Sequence, residues 1–189
     1  MKRWGELKPV RFDEKELKTD LGENNFIFVG SSNDLFCDDN YAEWINDTII
    51  HTRHFQKNQY LFQSKNPERM THYLDLVSPD NTTFCTTIES NRDYFISKAP
   101  SVNGRAHWIK DIRDNGFKIM ITIEPILDFD LERFVDLIRQ VNPFQVNIGF
   151  NTSNIKLPEP SKTKTLELIN EIQKFTKVII KSNSKRILG

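Results

Sequence analysis

The chain has no long apolar run, few cysteines and no excess of charge of either sign, and each shortage closes off a class of protein. No stretch approaches the roughly 20 consecutive apolar residues that cross a bilayer as a helix. The opening Met1-Lys2-Arg3-Trp4-Gly5 leads into no apolar segment of the kind a secretory leader carries. Cys37 and Cys85 are the only cysteines. They stand far apart and make no CxxC pair, which sets aside a disulfide scaffold and favours a reducing, cytoplasmic setting. Lys plus Arg and Asp plus Glu number 26 each, and the pI is near 6.9. No global field therefore draws the chain to nucleic acid or to an anionic membrane. Glycine is scarce at 7 residues, and no GxGxxG, P-loop or GxSxG signature occurs.

What is present is an ordinary globular composition, 38% hydrophobic and 28% charged over 189 residues, enough for one domain with its own core. Short apolar runs alternate with helical patterns. Phe26 to Val29 reads as a buried strand that breaks at Gly30-Ser31-Ser32-Asn33-Asp34, and Tyr41 to Arg53 reads as a helix. Tyr60 to Phe62 is a second strand, followed by a helix opened by Pro67 with Met70, Tyr73 and Leu74 on its apolar face. Thr82 to Thr87, Phe117 to Ile123, Gln145 to Ile148 and Lys177 to Ile180 continue the strands. Helices are expected over Asn103 to Asp114, over Leu131 to Val141, and over Ser161 to Phe175 with Leu166, Ile169 and Ile172 inward.

Near-continuous apolar strands separated by helices predict an α/β fold with a parallel sheet. Six strands fall short of the about 250 residues of a complete eight-stranded barrel, so the expectation is a partial, TIM-like (β/α) barrel with helices outside. The chain divides into a charged lead-in at 1–23 and one domain at 24–189.

In such folds ligands bind beyond the carboxyl ends of the strands, where loops and helix N-termini converge. The residues at those ends are polar throughout. They include Ser31, Ser32 and Asp34; Lys65; Glu89 and Arg92; Glu124; Asn147; and Lys181. Turn formation accounts for Ser, Asn and Asp, but not for Lys, Arg and Glu, so these nine are the candidate ligand-binding residues. Glu124 has two readings, a base or acceptor facing a ligand and one half of an ion pair with Lys65 or Lys181. His51, His54, His72 and His107 fall on predicted helices with no carboxylate or cysteine completing a ligand set, and no metal site is assigned.

Four segments occur in order: Phe26-Ile-Phe-Val-Gly-Ser-Ser-Asn-Asp-Leu-Phe36, Tyr60-Leu-Phe-Gln-Ser-Lys-Asn-Pro-Glu-Arg69, Thr86-Thr-Ile-Glu-Ser-Asn-Arg-Asp-Tyr94 and Ile121-Thr-Ile-Glu-Pro-Ile126. Together they resemble a phage- and prokaryote-associated radical S-adenosylmethionine-like family, distantly similar to the spore photoproduct lyase group. Lys8-Pro-Val-Arg-Phe-Asp-Glu-Lys-Glu-Leu-Lys18 resembles that family's segment just after its cluster loop. The resemblance implies a six-stranded partial barrel in which a three-cysteine loop after the first strand holds a 4Fe-4S cluster, and the cluster's free iron binds S-adenosylmethionine. No CxxxCxxC occurs here. The family's first strand and cluster loop are therefore expected to be missing from these residues.

Three readings follow. The first is a truncated or cluster-free family member that binds a polar, nucleoside-like ligand without radical turnover, or a fragment of a complete enzyme encoded upstream. The second is a protein-interaction module whose sheet edge at Phe26 to Val29 pairs with a partner or a second copy. The third is a cofactor-free barrel enzyme with Glu124 or Glu89 as base and Lys65 as electrophile.

Overall fold

The computed structural model describes residues 10–189. Trp4 and Leu7 of the lead-in lie outside the described residues. Its six strands are β1 (Phe26–Val29), β2 (Gln59–Gln63), β3 (Thr82–Thr87), β4 (Lys118–Ile123), β5 (Gln145–Ile148) and β6 (Lys177–Ile180). They lie side by side in chain order, every neighbouring pair parallel. The helices between them are α1 (Ala42–Arg53), α2 (Pro67–Thr71), α3 (Val102–Asp114), α4 (Leu131–Val141) and α5 (Lys162–Gln173), and a short α6 (Lys185–Leu188) closes the chain. This is the expected α/β partial barrel. Among the described residues no helix is long and apolar enough to cross a membrane.

Side-chain alternation divides the sheet into two unlike faces. Phe62, Phe84, Ile119, Ile121, Val146 and Ile148 point toward the helices and are almost wholly buried. Aromatic rings tie this layer together: Phe36 meets Phe62 edge-on, Phe62 stacks on Phe84, and Phe84 meets Phe117 edge-on, with centroids 5.3–6.0 Å apart. The other face is concave and more polar. One row across it reads Gln63, Cys85, Met120, Gln145 and Lys177, and the next reads Thr87, Thr122, Asn147 and Ile179. Leu61, Cys85 and Met120 form a small separate apolar cluster there.

Two helices depart from the sequence reading. The helix at Pro67 lasts only to Thr71, and a 3-10 turn at Leu74–Leu76 takes over, although Met70 and Tyr73 are buried as expected. In α5 the inward stripe is Thr165, Leu168, Ile169 and Ile172, a helical i, i+3, i+4, i+7 series, while Leu166 points outward and is exposed. The helix ends follow local chemistry. Ser101 and Ser161 cap the first turns of α3 and α5 through their hydroxyls, and Asn142 closes α4 in the left-handed region.

The described part of the lead-in, from Val10 on, contains one 3-10 turn (Glu16–Lys18), and its Phe12 ring stacks on Trp44 of α1 at 5.7 Å. At the β1 edge Phe26 and Phe28 remain exposed.

Burial decides which positions carry the fold. Phe84→Ala, inside the aromatic row, is expected to cost about 3–5 kcal/mol. Phe28→Ala, on the half-open β1 edge, should cost less than about 1.5 kcal/mol by the transfer of its exposed ring. Urea midpoints of the two variants check the contrast.

Candidate functional site

Two charged clusters stand at the carboxyl ends of the strands. The first is built around Glu89, two residues past the end of β3 and 4% exposed. Burying a carboxylate is tolerable only with paired charge, and two cations supply it. Arg105 Nη2 lies 2.8 Å from Glu89 Oε2, and Lys65 Nζ donates to Oε1. Arg105 also donates to the carbonyl of Thr87, while its Nε is buried without a hydrogen-bond partner. Burial alone raises the Glu89 carboxyl, but the Arg105 guanidinium and the Lys65 ammonium outweigh it and hold the group below its ordinary value of 4.5.

Lys65 is placed by its loop. Asp34 accepts the Lys65 backbone N–H at 3.0 Å and that of Phe36 at 3.1 Å, so its carboxylate fixes backbone. Asn66 caps α2 with Pro67 in the first turn. A groove of about 380 Å³ runs beside this cluster, lined by Ser31, Ser32, Asp34, Lys65 and Thr87 among others.

The second cluster joins β4, β5 and the segment after β6. Glu124 follows β4 and precedes a cis peptide bond to Pro125. Lys181 Nζ donates to its Oε2 and Asn183 Nδ2 to its Oε1, while Asn183 Nδ2 also donates to the Phe150 carbonyl at 2.9 Å. Gly149 makes this packing feasible. A Cβ there stands 2.6 Å from Glu124 Oε1 and 2.9 Å from Asn183 Oδ1, inside van der Waals contact. Glu124 thus pairs with Lys181, and Lys65 pairs with Glu89. The Lys181 charge also bears on Cys85 of the concave face. Burial pushes that thiol up to about 11, with the Thr122 hydroxyl and Lys181 pulling the other way.

Arg92 is drawn elsewhere. Its guanidinium forks onto Asp130, meets Asp128 at 2.6 Å, and so staples the β3–α3 loop to the β4–α4 loop. This pairing holds the Asp130 carboxyl well below the usual carboxylate range. Asn147 lies on the concave face in the Thr87–Thr122 row and accepts from Gln145 at 2.9 Å. Of the nine expected residues, the fold brings Lys65 and Glu89 into one cluster and Glu124 and Lys181 into another. Ser31, Ser32 and Asp34 flank the first, and Arg92 serves the loop staple. The sequence reading missed Arg105 and Gly149. Arg105 carried a signal, since it occupies the buried stripe of α3 with Val102, Ala106, Ile109 and Ile112. Gly149 carried none beyond being a glycine at a strand end.

These residues do not fit a 4Fe-4S cluster. Among those described, no three His, Cys, Asp or Glu side chains are grouped to hold a metal, and Cys85 is buried within β3 while Cys37 is half-buried in the loop after β1. The fold and site together define an open six-stranded parallel α/β half-barrel with a charged carboxyl-end face.

No protein-family model matches the chain, and no curated protein matches it in sequence. Solved structures do. A cysteine-to-alanine mutant of spore photoproduct lyase with dinucleoside spore photoproduct superposes with a TM-score of 0.63 at 14% identity, over 88% of this chain and 64% of that one. A double mutant of the same lyase with bound AdoMet and dinucleoside spore photoproduct gives 0.62 at 14% identity, over 88% and 63%. The chain thus spans a little under two thirds of the lyase chains it matches. At this identity the likeness is one of fold.

Two predictions follow from the clusters. Because folded Glu89 ionises below 4.5, its contribution to stability is present above that pH and is lost as pH falls through the folded value. Glu89→Gln should cost about 3–5 kcal/mol at neutral pH by leaving Arg105 buried without its counter-charge. It should also remove that share of the acid-side loss, read from urea unfolding along a pH series. Gly149→Ala should displace the Glu124 carboxylate at a cost of about 1.5–3 kcal/mol, the worth of hydrogen bonds to a charged group. In a Glu124→Ala background the same change should cost less, since only the 2.9 Å approach to Asn183 Oδ1 remains; a double-mutant cycle measures the difference.

Proposed function

We propose that this chain binds a small polar ligand of the nucleoside type, S-adenosylmethionine foremost, on the concave face at the carboxyl ends of its strands, without radical turnover by these residues alone. The observation that carries the reading is the pair of charged clusters at that end of the sheet. Each has a cation that reaches solvent: the Lys65 side chain is 32% exposed and that of Lys181 is 42% exposed. Loop closure needs neither a buried carboxylate between two cations nor a glycine vacated for a second carboxylate. The groove beside Lys65, about 380 Å³, falls within the roughly 300–1,000 Å³ of small-molecule sites.

Support for the ligand class comes from the lyase of like fold, described with bound AdoMet and a dinucleoside photoproduct. Membership of the phage-associated radical S-adenosylmethionine-like family rests on the four ordered sequence segments. The missing thiolates put cluster chemistry outside what these residues can supply, and the same pocket serves if they form part of a longer enzyme. A second reading, a protein-interaction module, is favoured by the place of β1, an uncharged strand at the edge of the sheet among the described residues.

The melting temperature of the purified chain, taken with increasing S-adenosylmethionine, S-adenosylhomocysteine and adenosine, tests the binding reading. A ligand at about 100 times its dissociation constant adds about 2.7 kcal/mol. For a chain of this size that is a rise on the order of 5–10 °C. No rise with any of the three overturns the reading and leaves the sheet edge as the surface to pursue.

A further inference from the structure

We infer that the Glu124–Lys181 pair reads the edge of the ligand's nucleobase, Lys181 donating to a ring acceptor and Glu124 accepting from the amino or imino N–H beside it. The inference rests on the nucleoside reading above and assigns the base-recognising part of that site.

Three features of the pair lead there. The first is its position. Ile179 lies in the concave-face row with Thr87, Thr122 and Asn147, and Lys181 follows it by two residues. Glu124 likewise follows Thr122 by two residues, so the alternation carries both members of the pair to that face. The pair is open from that side, with 25% of the Glu124 side chain and 42% of the Lys181 side chain exposed.

The second is rigidity. Glu124 is held on its other oxygen by Asn183, which is itself fixed to the Phe150 carbonyl, and the carboxylate fills the space that Gly149 leaves open. An acceptor held in place and an ammonium bonded to it are therefore presented side by side, with hydrogen-bonding capacity left on both. An ammonium has three donors and a carboxylate about four acceptor sites.

The third is charge. The pair is neutral as a unit, so a phosphate or carboxylate that gains on Lys181 is opposed by Glu124 within the same contact. A neutral edge with an acceptor beside an N–H satisfies both groups and leaves neither desolvated without a partner. Adenine offers that pattern through a ring nitrogen and its exocyclic amino group. Ile179, 39% exposed on the same strand, supplies apolar surface for the flat of the ring. The Lys65–Glu89–Arg105 cluster differs, because two cations share one carboxylate there and an excess positive charge remains.

Titration calorimetry of the full chain with adenosine, and with adenosine dimethylated at its exocyclic amino group, tests the inference without any mutation. Dimethylation removes the N–H, so affinity should fall by about 10- to 100-fold, the worth of a two-point base contact. In Glu124→Ala, with its fold checked by circular dichroism, the two ligands should differ by less than about threefold, since the acceptor that told them apart is gone. Lys181→Met should weaken both ligands in parallel. Equal binding of the two adenosines by the unaltered chain overturns the inference, as does a dimethylation penalty that survives in Glu124→Ala. If S-adenosylmethionine raises the melting temperature while dimethylation has no effect, only this inference falls. If no adenine ligand binds at all, the nucleoside reading falls with it.

Discussion

The contact between Glu89 and Arg105 is the one on which the carboxyl-end face depends. A carboxylate that is 4% exposed and a guanidinium that is 5% exposed can coexist in this interior only because each neutralises the other. The pair ties the end of β3 to the first turns of α3, and through the Thr87 carbonyl it ties Arg105 back to the strand itself. Lys65 brings in the end of β2, and Asp34 brings in the loop after β1 by holding the Lys65 backbone. Three of the six strand ends thus converge on one buried negative charge. The unpartnered Arg105 Nε shows that even this arrangement leaves a polar atom unsatisfied, a cost that hydrophobic replacements of similar volume do not carry.

The second cluster solves a different problem by different means. Glu124 is a quarter exposed and is met by one ammonium and one amide. What it needs is space, because parallel strands at β4 and β5 bring Gly149 directly alongside. Losing a Cβ at one position is how the fold admits a carboxylate between two strand ends. Between the clusters runs a row of short polar side chains, Thr87, Thr122 and Asn147, and below it Leu61, Cys85 and Met120 close the floor. Charge at the rim, hydroxyls in the middle and apolar atoms beneath grade the face from wet to dry.

Much of this was legible in the sequence, and the reasons separate what was from what was not. Strands such as Thr82–Thr87 and helices such as Leu131–Val141 announce themselves because their side-chain period matches their backbone period. The candidate residues were legible because lysine, arginine and glutamate at strand ends have no turn-forming purpose. Their partners were not. Whether Glu124 meets Lys65 or Lys181 depends on the curvature that carries β6 around toward β4, and nothing local encodes that. Arg92 illustrates the same limit from the other side. It stands three residues from Glu89, yet its guanidinium turns outward because Asp128 and Asp130 wait on the next loop. The assignment of Leu166 to the core failed for a smaller reason. One residue of phase in a helix turns a side chain about 100°, and Thr165, one position earlier, holds the buried place.

The contrast between the clusters bears on how the proposed ligand would be admitted. Opening the Lys65–Glu89 contact leaves Glu89 with Arg105 still beside it, so the carboxylate keeps a counter-charge while Lys65 turns toward solvent. Opening the Lys181–Glu124 contact leaves Glu124 with a neutral amide alone, though in a wetter setting where an unpaired charge costs less. Lys65 could therefore turn to the proposed ligand without stranding a buried charge, because Arg105 stays on Glu89, whereas Lys181 sits on a carboxylate that solvent also reaches and has donors to spare while still paired. Arg105 has no such freedom, since moving it would leave Glu89 and the Thr87 carbonyl together without their shared donor. The face is thus built with a buried anchor inside and solvent-facing cations outside, the division that the proposed binding reading calls for.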